Sequence, residues 1–153
     1  MSRPHDTQSL RFFACYVLAD GVQEAELEFA FKQKDISSYR TLADNRADVL
    51  HGDRDVSGDG VATLLSTPGH TPGHQSLLVK LPHAGAILLT GDLYHYPEER
   101  ASGTFPSFEL DRARTAESRA RIEAVVERMH AQVWIEHDIL GYARLRKAPE
   151  HYD

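Results

Sequence analysis

Short runs of apolar residues bounded by turn-forming residues extend through most of the chain and predict β-strands. A largely apolar or β-prone run over residues 11–19 predicts a buried strand, which the turn signal Asp20-Gly21 ends. The Asp/Gly-rich stretch 51–60 predicts tight turns around a short strand. Further strands are predicted over residues 61–65, 75–81, 86–90 and 132–136.

Two segments have the spacing of amphipathic helices. Residues 22–34 predict a helix whose glutamates, Glu26 among them, face water. Residues 115–130 predict a second helix that covers one face of a sheet, with four apolar residues inward: Ile122, Val125, Val126 and Met129. Residues 94–109 are predicted to form a polar loop, and residues 137–153 a loop with a final turn. Interspersed helices and a majority of strands favour a layered α/β or α+β sandwich.

Composition narrows the class of protein. A chain of 153 residues, 41% hydrophobic and 26% charged, is sufficient for one globular domain. A net charge of −6 without a Lys/Arg cluster argues against nucleic acid as the main partner. No apolar stretch is long enough for a membrane span, and the first residues lack an apolar signal segment, which predicts a cytoplasmic protein. The single cysteine, Cys15, lies in an apolar run and is interpreted as a packed thiol.

Candidate chemistry begins in the segment Thr67-Pro68-Gly69-His70-Thr71-Pro72-Gly73-His74, directly after a predicted strand. Its two Pro-Gly pairs predict a rigid turn, and rigidity is what a metal-binding imidazole requires. The alternative interpretation is a polar loop that contains two histidines without a joint role.

Two other predicted strands also end in a polar residue that can bind metal. Asp92 follows the apolar run Leu88-Leu89, and His137 follows Val133-Trp134-Ile135. Alone, the aspartate is more typical of a turn or a helix cap, and the histidine of a hydrogen-bonded structural residue. Together with His70, however, they supply the imidazole and carboxylate donors that suit Zn²⁺. The repeated pattern of strand followed by donor therefore predicts a zinc site formed by His70, Asp92 and His137.

In order and approximate spacing, these motifs resemble the later metal motifs of the metallo-β-lactamase superfamily. The resemblance covers the chain from about residue 11 and implies the C-terminal part of an αββα sandwich. It implies that His70 and His137 are ligands of different zinc ions, which Asp92 bridges. It gives His74 a structural or hydrogen-bonding role near the site.

Within the superfamily, the segments Gly91-Asp92-Leu93-Tyr94-His95-Tyr96 and Trp134-Ile135-Glu136-His137-Asp138 are most similar to the branch of N-acyl-homoserine-lactone lactonases. That resemblance implies a quorum-quenching hydrolase in which Asp92 acts at the metals. It also offers Tyr94 as a phenol that polarises the scissile carbonyl. The alternative interpretation of Tyr94 is an ordinary loop aromatic.

The family's hallmark run, His-x-His-x-Asp-His, does not occur in this sequence. Its place is taken by His5-Asp6, so residues 1–10 are interpreted as an atypical or truncated segment and residues 11–153 as a partial domain. With the hallmark absent, each zinc would keep two ligands from this chain, one of them shared. A catalytic zinc usually has three protein ligands and a water. The expectation is therefore weak or absent zinc binding and slow turnover by the isolated chain.

Three functions remain open from the sequence. The first is a zinc-dependent hydrolase of a small lactone or ester, in which the metals activate the nucleophile and stabilise the oxyanion. The second is a non-catalytic fragment or binding module, which would hold no zinc. The third is a thioesterase of the hydroxyacylglutathione hydrolase type. An open sheet edge left by absent strands would also favour self-association, so homo-oligomers are a further expectation.

Overall fold

The structure is a computed structural model that describes residues 21–33 and 48–153. The predicted strand over residues 11–19, the packed thiol of Cys15, His5-Asp6 and the segment 1–10 lie outside the described residues. Seven strands are described: β1 (Gly21–Gln23), β2 (Asp48–Leu50), β3 (Arg54–Asp55), β4 (Ala62–Ser66), β5 (Gln75–Leu81), β6 (Gly85–Leu89) and β7 (Gln132–Trp134). Four α-helices accompany them: α1 (Glu24–Lys32), α2 (Pro97–Ser102), α3 (Arg112–Met129) and α4 (Ile139–Arg144).

The strands form two sheets. β1 and β2 pair in parallel, and the other five form a sheet in the order β3-β4-β5-β6-β7. Pairing is antiparallel from β3 to β6, whereas β6 and β7 are parallel. β4, β6 and β7 therefore run in the same direction, and their C-terminal ends reach the same edge of the sheet. The segments that contain His70, Asp92 and His137 each follow one of these ends.

The core of the described part lies between the five-stranded sheet and α3. Leu65, Leu78 and Leu88 from the sheet pack with Ile122 and Val125 of the helix. Val126 and Met129 are partly buried against the same cluster, so the predicted inward face of this helix is confirmed. Asp111 caps the helix by accepting a hydrogen bond from the amide of Arg114, which satisfies one of the donors left free in its first turn.

The first helix differs from its prediction. β1 occupies residues 21–23, and the helix begins only at Glu24. Glu26, predicted to face water, is buried, and its carboxylate accepts a hydrogen bond of 2.9 Å from the amide of Gly73. Helical spacing shows which residues share a face, but the partner that decides burial is on a distant segment.

Two short helices occur where loop was predicted. α2 interrupts the segment 94–109; it begins at Pro97, and Gly103 follows it in the left-handed conformation, a typical helix end. α4 lies in the C-terminal tail and is capped by the side chain of Asp138. None of the described helices has the length and apolar character that a membrane-spanning helix needs.

Candidate metal centre

Asp92 is the residue on which the predicted ligands converge. It lies in a one-turn 3₁₀ segment, Gly91–Leu93, just beyond the end of β6. His70 Nε2 lies 3.5 Å from Asp92 Oδ2, and His137 Nε2 lies 3.0 Å from Asp92 Oδ1. The structure thus brings all three sequence-predicted ligands together, with one histidine on each carboxylate oxygen.

Close backbone packing holds the turn that carries His70. A Cβ atom added at Gly69 would lie 2.6 Å from Cα of Thr115 in α3, and one added at Gly73 would lie 2.6 Å from the backbone nitrogen of Glu26 in α1. These distances are shorter than any side chain tolerates, so glycine lets the turn approach both helices. The amide of Thr67 also bonds the carbonyl of His74 at 2.8 Å, which closes the turn at its base.

His74 supports the site through a hydrogen bond to the backbone of Asp92. Its Nε2 accepts a hydrogen bond of 3.0 Å from the backbone amide of Asp92, while Nδ1 lies 3.1 Å from the carbonyl of Thr67. Nδ1 therefore carries the proton. Burial, and next the nearby His70, lower the pKa of His74 to about 4, which leaves the ring neutral at pH 7. The predicted hydrogen-bonding role of His74 is confirmed.

Glu109 is a residue of the site that the sequence did not reveal. Its buried side chain approaches the far side of the His70 ring, with Oε2 3.7 Å from Nδ1, and it accepts a hydrogen bond from the hydroxyl of Thr115. Burial lowers the pKa of His70, but Glu109 and Asp92 outweigh that effect and the net pKa is raised. With Nδ1 directed at Glu109, Nε2 is the atom that His70 presents to Asp92. No motif surrounds Glu109 in the sequence.

His95 was also missed as a donor. Its Nε2 lies 3.9 Å from Asp92 Oδ1, its ring centre lies 5.0 Å from that of His70, and it stacks on His137 at 5.7 Å. Among the described residues, donor atoms of His70, Asp92 and His95 all lie within 4.8 Å of one another. Its place three residues after Asp92 was the one signal in the sequence that could have drawn attention to it.

Tyr94, offered from the sequence as a catalytic phenol, has a different environment. Its hydroxyl donates a hydrogen bond of 2.9 Å to Glu123 in α3, and the guanidinium of Arg119 lies 4.5 Å from its ring centre. Burial, and next the bond to Glu123, raise the pKa of Tyr94 well above its usual range. The hydroxyl is therefore engaged with α3. The catalytic role of Tyr94 stays a prediction, with an ordinary loop aromatic as its alternative.

The donors around Asp92 suit zinc. Neutral imidazole nitrogens and a carboxylate oxygen are its usual ligands after thiolate. Three of these side chains, those of His70, Asp92 and His95, are largely buried, whereas that of His137 is half exposed.

No protein-family model matches the chain. The chain is nevertheless similar to curated N-acyl homoserine lactonases. The chain is 38% identical over 99 residues to the N-acyl homoserine lactonase AttM of Azorhizobium caulinodans, which is 65% of this chain and 38% of AttM. It is 32% identical over 130 residues to the N-acyl homoserine lactonase AiiA of Bacillus thuringiensis subsp. kurstaki, which is 85% of this chain and 51% of AiiA.

A solved structure gives the same result for the fold. The chain superposes with a TM-score of 0.77 and 30% identity on an N-acyl homoserine lactone hydrolase that has the product N-hexanoyl-L-homoserine bound at its catalytic metal centre. The match covers 87% of this chain and 52% of that one. The predicted metallo-β-lactamase-type fold and the resemblance to the lactonase branch are confirmed, over roughly half of the length of AiiA and less of AttM.

Proposed function

Because this chain is related to the N-acyl homoserine lactonases of the metallo-β-lactamase superfamily, we propose that it is part of a zinc-dependent hydrolase of lactone or ester carbonyls. The observation that carries the proposal is the convergence of His70 and His137 on the two oxygens of one aspartate. Separate strands deliver these residues, and a carboxylate shared between two imidazoles is the arrangement expected of a ligand that bridges two metals.

In this proposal, His70, Asp92 and His137 would hold the metal, since both histidines present Nε2 to the carboxylate. Bound zinc supplies Lewis-acid activation of a water molecule and of the carbonyl group. His74 holds the backbone of Asp92 in place, and Glu109 orients the ring of His70 from its opposite side. The substrate class, a small lactone or ester, is inferred from AttM, AiiA and the product-bound hydrolase.

The proposal is tested by metal analysis and by lactone ring opening in parallel. Purified protein should bind zinc after dialysis against a trace of the metal, and the zinc-loaded protein should open an N-acyl homoserine lactone faster than zinc alone. Asp92→Asn should lower zinc content at least tenfold, because the neutral amide is a much poorer ligand. Asp59→Asn, a change of the same kind at a fully exposed position in the loop before β4, should retain it.

Two results separate the parts of the proposal. Protein that binds no zinc under any loading condition contradicts the metal site and leaves a non-catalytic module as the better interpretation. Protein that binds zinc through Asp92 but opens no lactone contradicts the substrate class alone.

A further inference from the structure

We propose that His95 is a third metal ligand on Asp92, positioned by Glu99 and Arg119, so that one zinc has three protein ligands from this chain alone. The inference rests on the proposed function for one premise, that Asp92 binds metal. It differs from the ligand set expected from the sequence, in which His95 had no role and each zinc kept two ligands.

The distances support a common metal position. Donor atoms of His70, Asp92 and His95 lie within 4.8 Å of one another, and Nε2 of His95 lies 3.9 Å from Asp92 Oδ1. Ligands about 2 Å from a tetrahedral zinc stand roughly 3.3 Å apart. Closing the difference takes side-chain shifts of about an ångström, the scale of a rotamer adjustment.

Glu99 fixes which nitrogen of His95 faces the aspartate. Its Oε2 accepts a hydrogen bond of 3.1 Å from the backbone amide of His95 and lies 3.4 Å from Nδ1 of the same residue. A carboxylate at Nδ1 stabilises the tautomer with the proton on that nitrogen. The lone pair is then on Nε2, directed at Asp92. A carboxylate that bonds the outer nitrogen is the usual support of a metal-binding histidine.

Arg119 in turn holds Glu99. Its Nη2 donates to Glu99 Oε2 at 3.0 Å, and its other nitrogens donate to the carbonyls of Leu93, at 2.9 Å, and Thr104, at 2.6 Å. The guanidinium also lies between the rings of Tyr94 and Phe105. Buried on all sides, this arginine has a fixed position and gives Glu99 a fixed, charged partner.

The consequence is a change in ligand count. His70, Asp92 and His95 would supply the three protein ligands that are typical of a catalytic zinc, which leaves one position for water. His137 remains on the same aspartate but is half exposed, with the side chain 49% accessible, whereas His95 is buried. Replacing His95 and replacing His137 should therefore have different effects on the first zinc that binds.

The test is a zinc titration of the metal-free protein against a chelator of known affinity, with one zinc per chain then examined by X-ray absorption. Wild-type protein should show two imidazoles on the first zinc. His95→Ala should show one and should bind about 100-fold more weakly, while Glu99→Gln should weaken binding about tenfold. His137→Ala should leave the first zinc unchanged, and His83→Ala, at an exposed position between β5 and β6, serves as the matched control.

A second measurement needs no metal. Nitrogen-15 spectra of the metal-free protein should show His95 protonated at Nδ1, and Glu99→Ala should convert it to a mixture of tautomers while circular dichroism stays native. If His95→Ala retains both imidazoles and its zinc affinity while His70→Ala loses them, or if His137→Ala has the larger effect, the inference is wrong and the proposed function stands. If the wild-type protein binds no zinc, both fail.

Discussion

The side chain of His74 and the backbone of Asp92 are joined by a buried hydrogen bond of 3.0 Å, in which the imidazole accepts from the amide. The backbone of Asp92 is therefore held in place, in addition to its carboxylate, which lies close to His70 and His137. The ring of His74 also lies edge-on to that of His70, with 6.0 Å between the ring centres. We therefore expect His74 to affect metal affinity by positioning Asp92 and His70.

Replacing His74 by alanine should weaken zinc binding 10- to 100-fold, about the cost of losing a supporting contact behind a ligand. It should also lower the free energy of unfolding by about 2–4 kcal/mol, since buried polar groups lose partners and a cavity opens. Zinc titration and urea unfolding measure the two effects. His83→Ala should change neither, and unchanged zinc affinity in folded His74→Ala would contradict the positioning role.

Gly69 is a second sensitive position. It has a φ of 144°, and an added Cβ would lie 2.6 Å from Cα of Thr115 and closer still to its nitrogen and hydroxyl, so Gly69→Ala should destabilise the fold by about 3 kcal/mol or more and displace His70. Gly58→Ala is the matched control. Gly58 also has a positive φ, 77°, but an added Cβ would meet nothing within 4 Å, so a loss of about 1 kcal/mol is expected. Equal losses, measured by urea unfolding, would show that packing against α3 contributes nothing.

Tyr94→Phe separates a catalytic phenol from a packed one. Because the hydroxyl bonds Glu123, its removal should cost about 0.5–1.5 kcal/mol of unfolding free energy. The zinc affinity and the rate of lactone opening should stay within about twofold of wild type. A rate loss of about 100-fold at unchanged zinc content would restore the role that the sequence suggested.

Because Arg100 and Glu123 form an ion pair, we expect the free energy of unfolding to depend on pH. The guanidinium donates to both oxygens of the carboxylate, at 2.8 and 2.7 Å, and chiefly through these bonds lowers the pKa of Glu123 below its ordinary range. A folded-state pKa below the unfolded one gives stability that is present above the unfolded value, about 4.3, and is lost as pH falls through the folded value.

Glu123→Gln should therefore be less stable than wild type at pH 7, by at most about 1 kcal/mol for a partly exposed pair. The difference should fade as the pH is lowered below about 4. Thermal unfolding at several pH values measures it, with the exposed Glu117→Gln on the same helix for comparison. A difference that persists unchanged at pH 3 would contradict this account.

The strands, and the places of His70, Asp92 and His137 after them, could be predicted because each depends on local signals. The end of the run at Leu89 and the turn around His70 are marked in the sequence by Gly and Pro residues. β4, β5, β6 and the inward face of α3 follow from periodicity for the same reason. Parallel pairing of β6 with β7 could not be derived in this way, yet it is what brings His137 to Asp92.

The supporting residues could not be predicted, since their roles depend on partners far away in the chain. From the sequence, Glu26 was predicted to be a solvated helix position, whereas in the structure it bonds the amide of Gly73. Glu109 lies in a segment that reads as polar loop. His95 had one local signal, its place three residues after Asp92, but the resemblance to the lactonases directed attention to the neighbouring Tyr94.

The close approach of Gly69 to α3 and of Gly73 to α1 makes the His70 turn a junction between two helices. Mutations that shift either helix, at positions distant from every donor atom, should be detected as altered metal occupancy, and engineering of those helices should be screened with that readout. The loop around Gly58, by contrast, has open space about it and is stabilised by its own Asp55 and Asp59. It is the place to attach a label or an affinity tag without disturbing the metal centre.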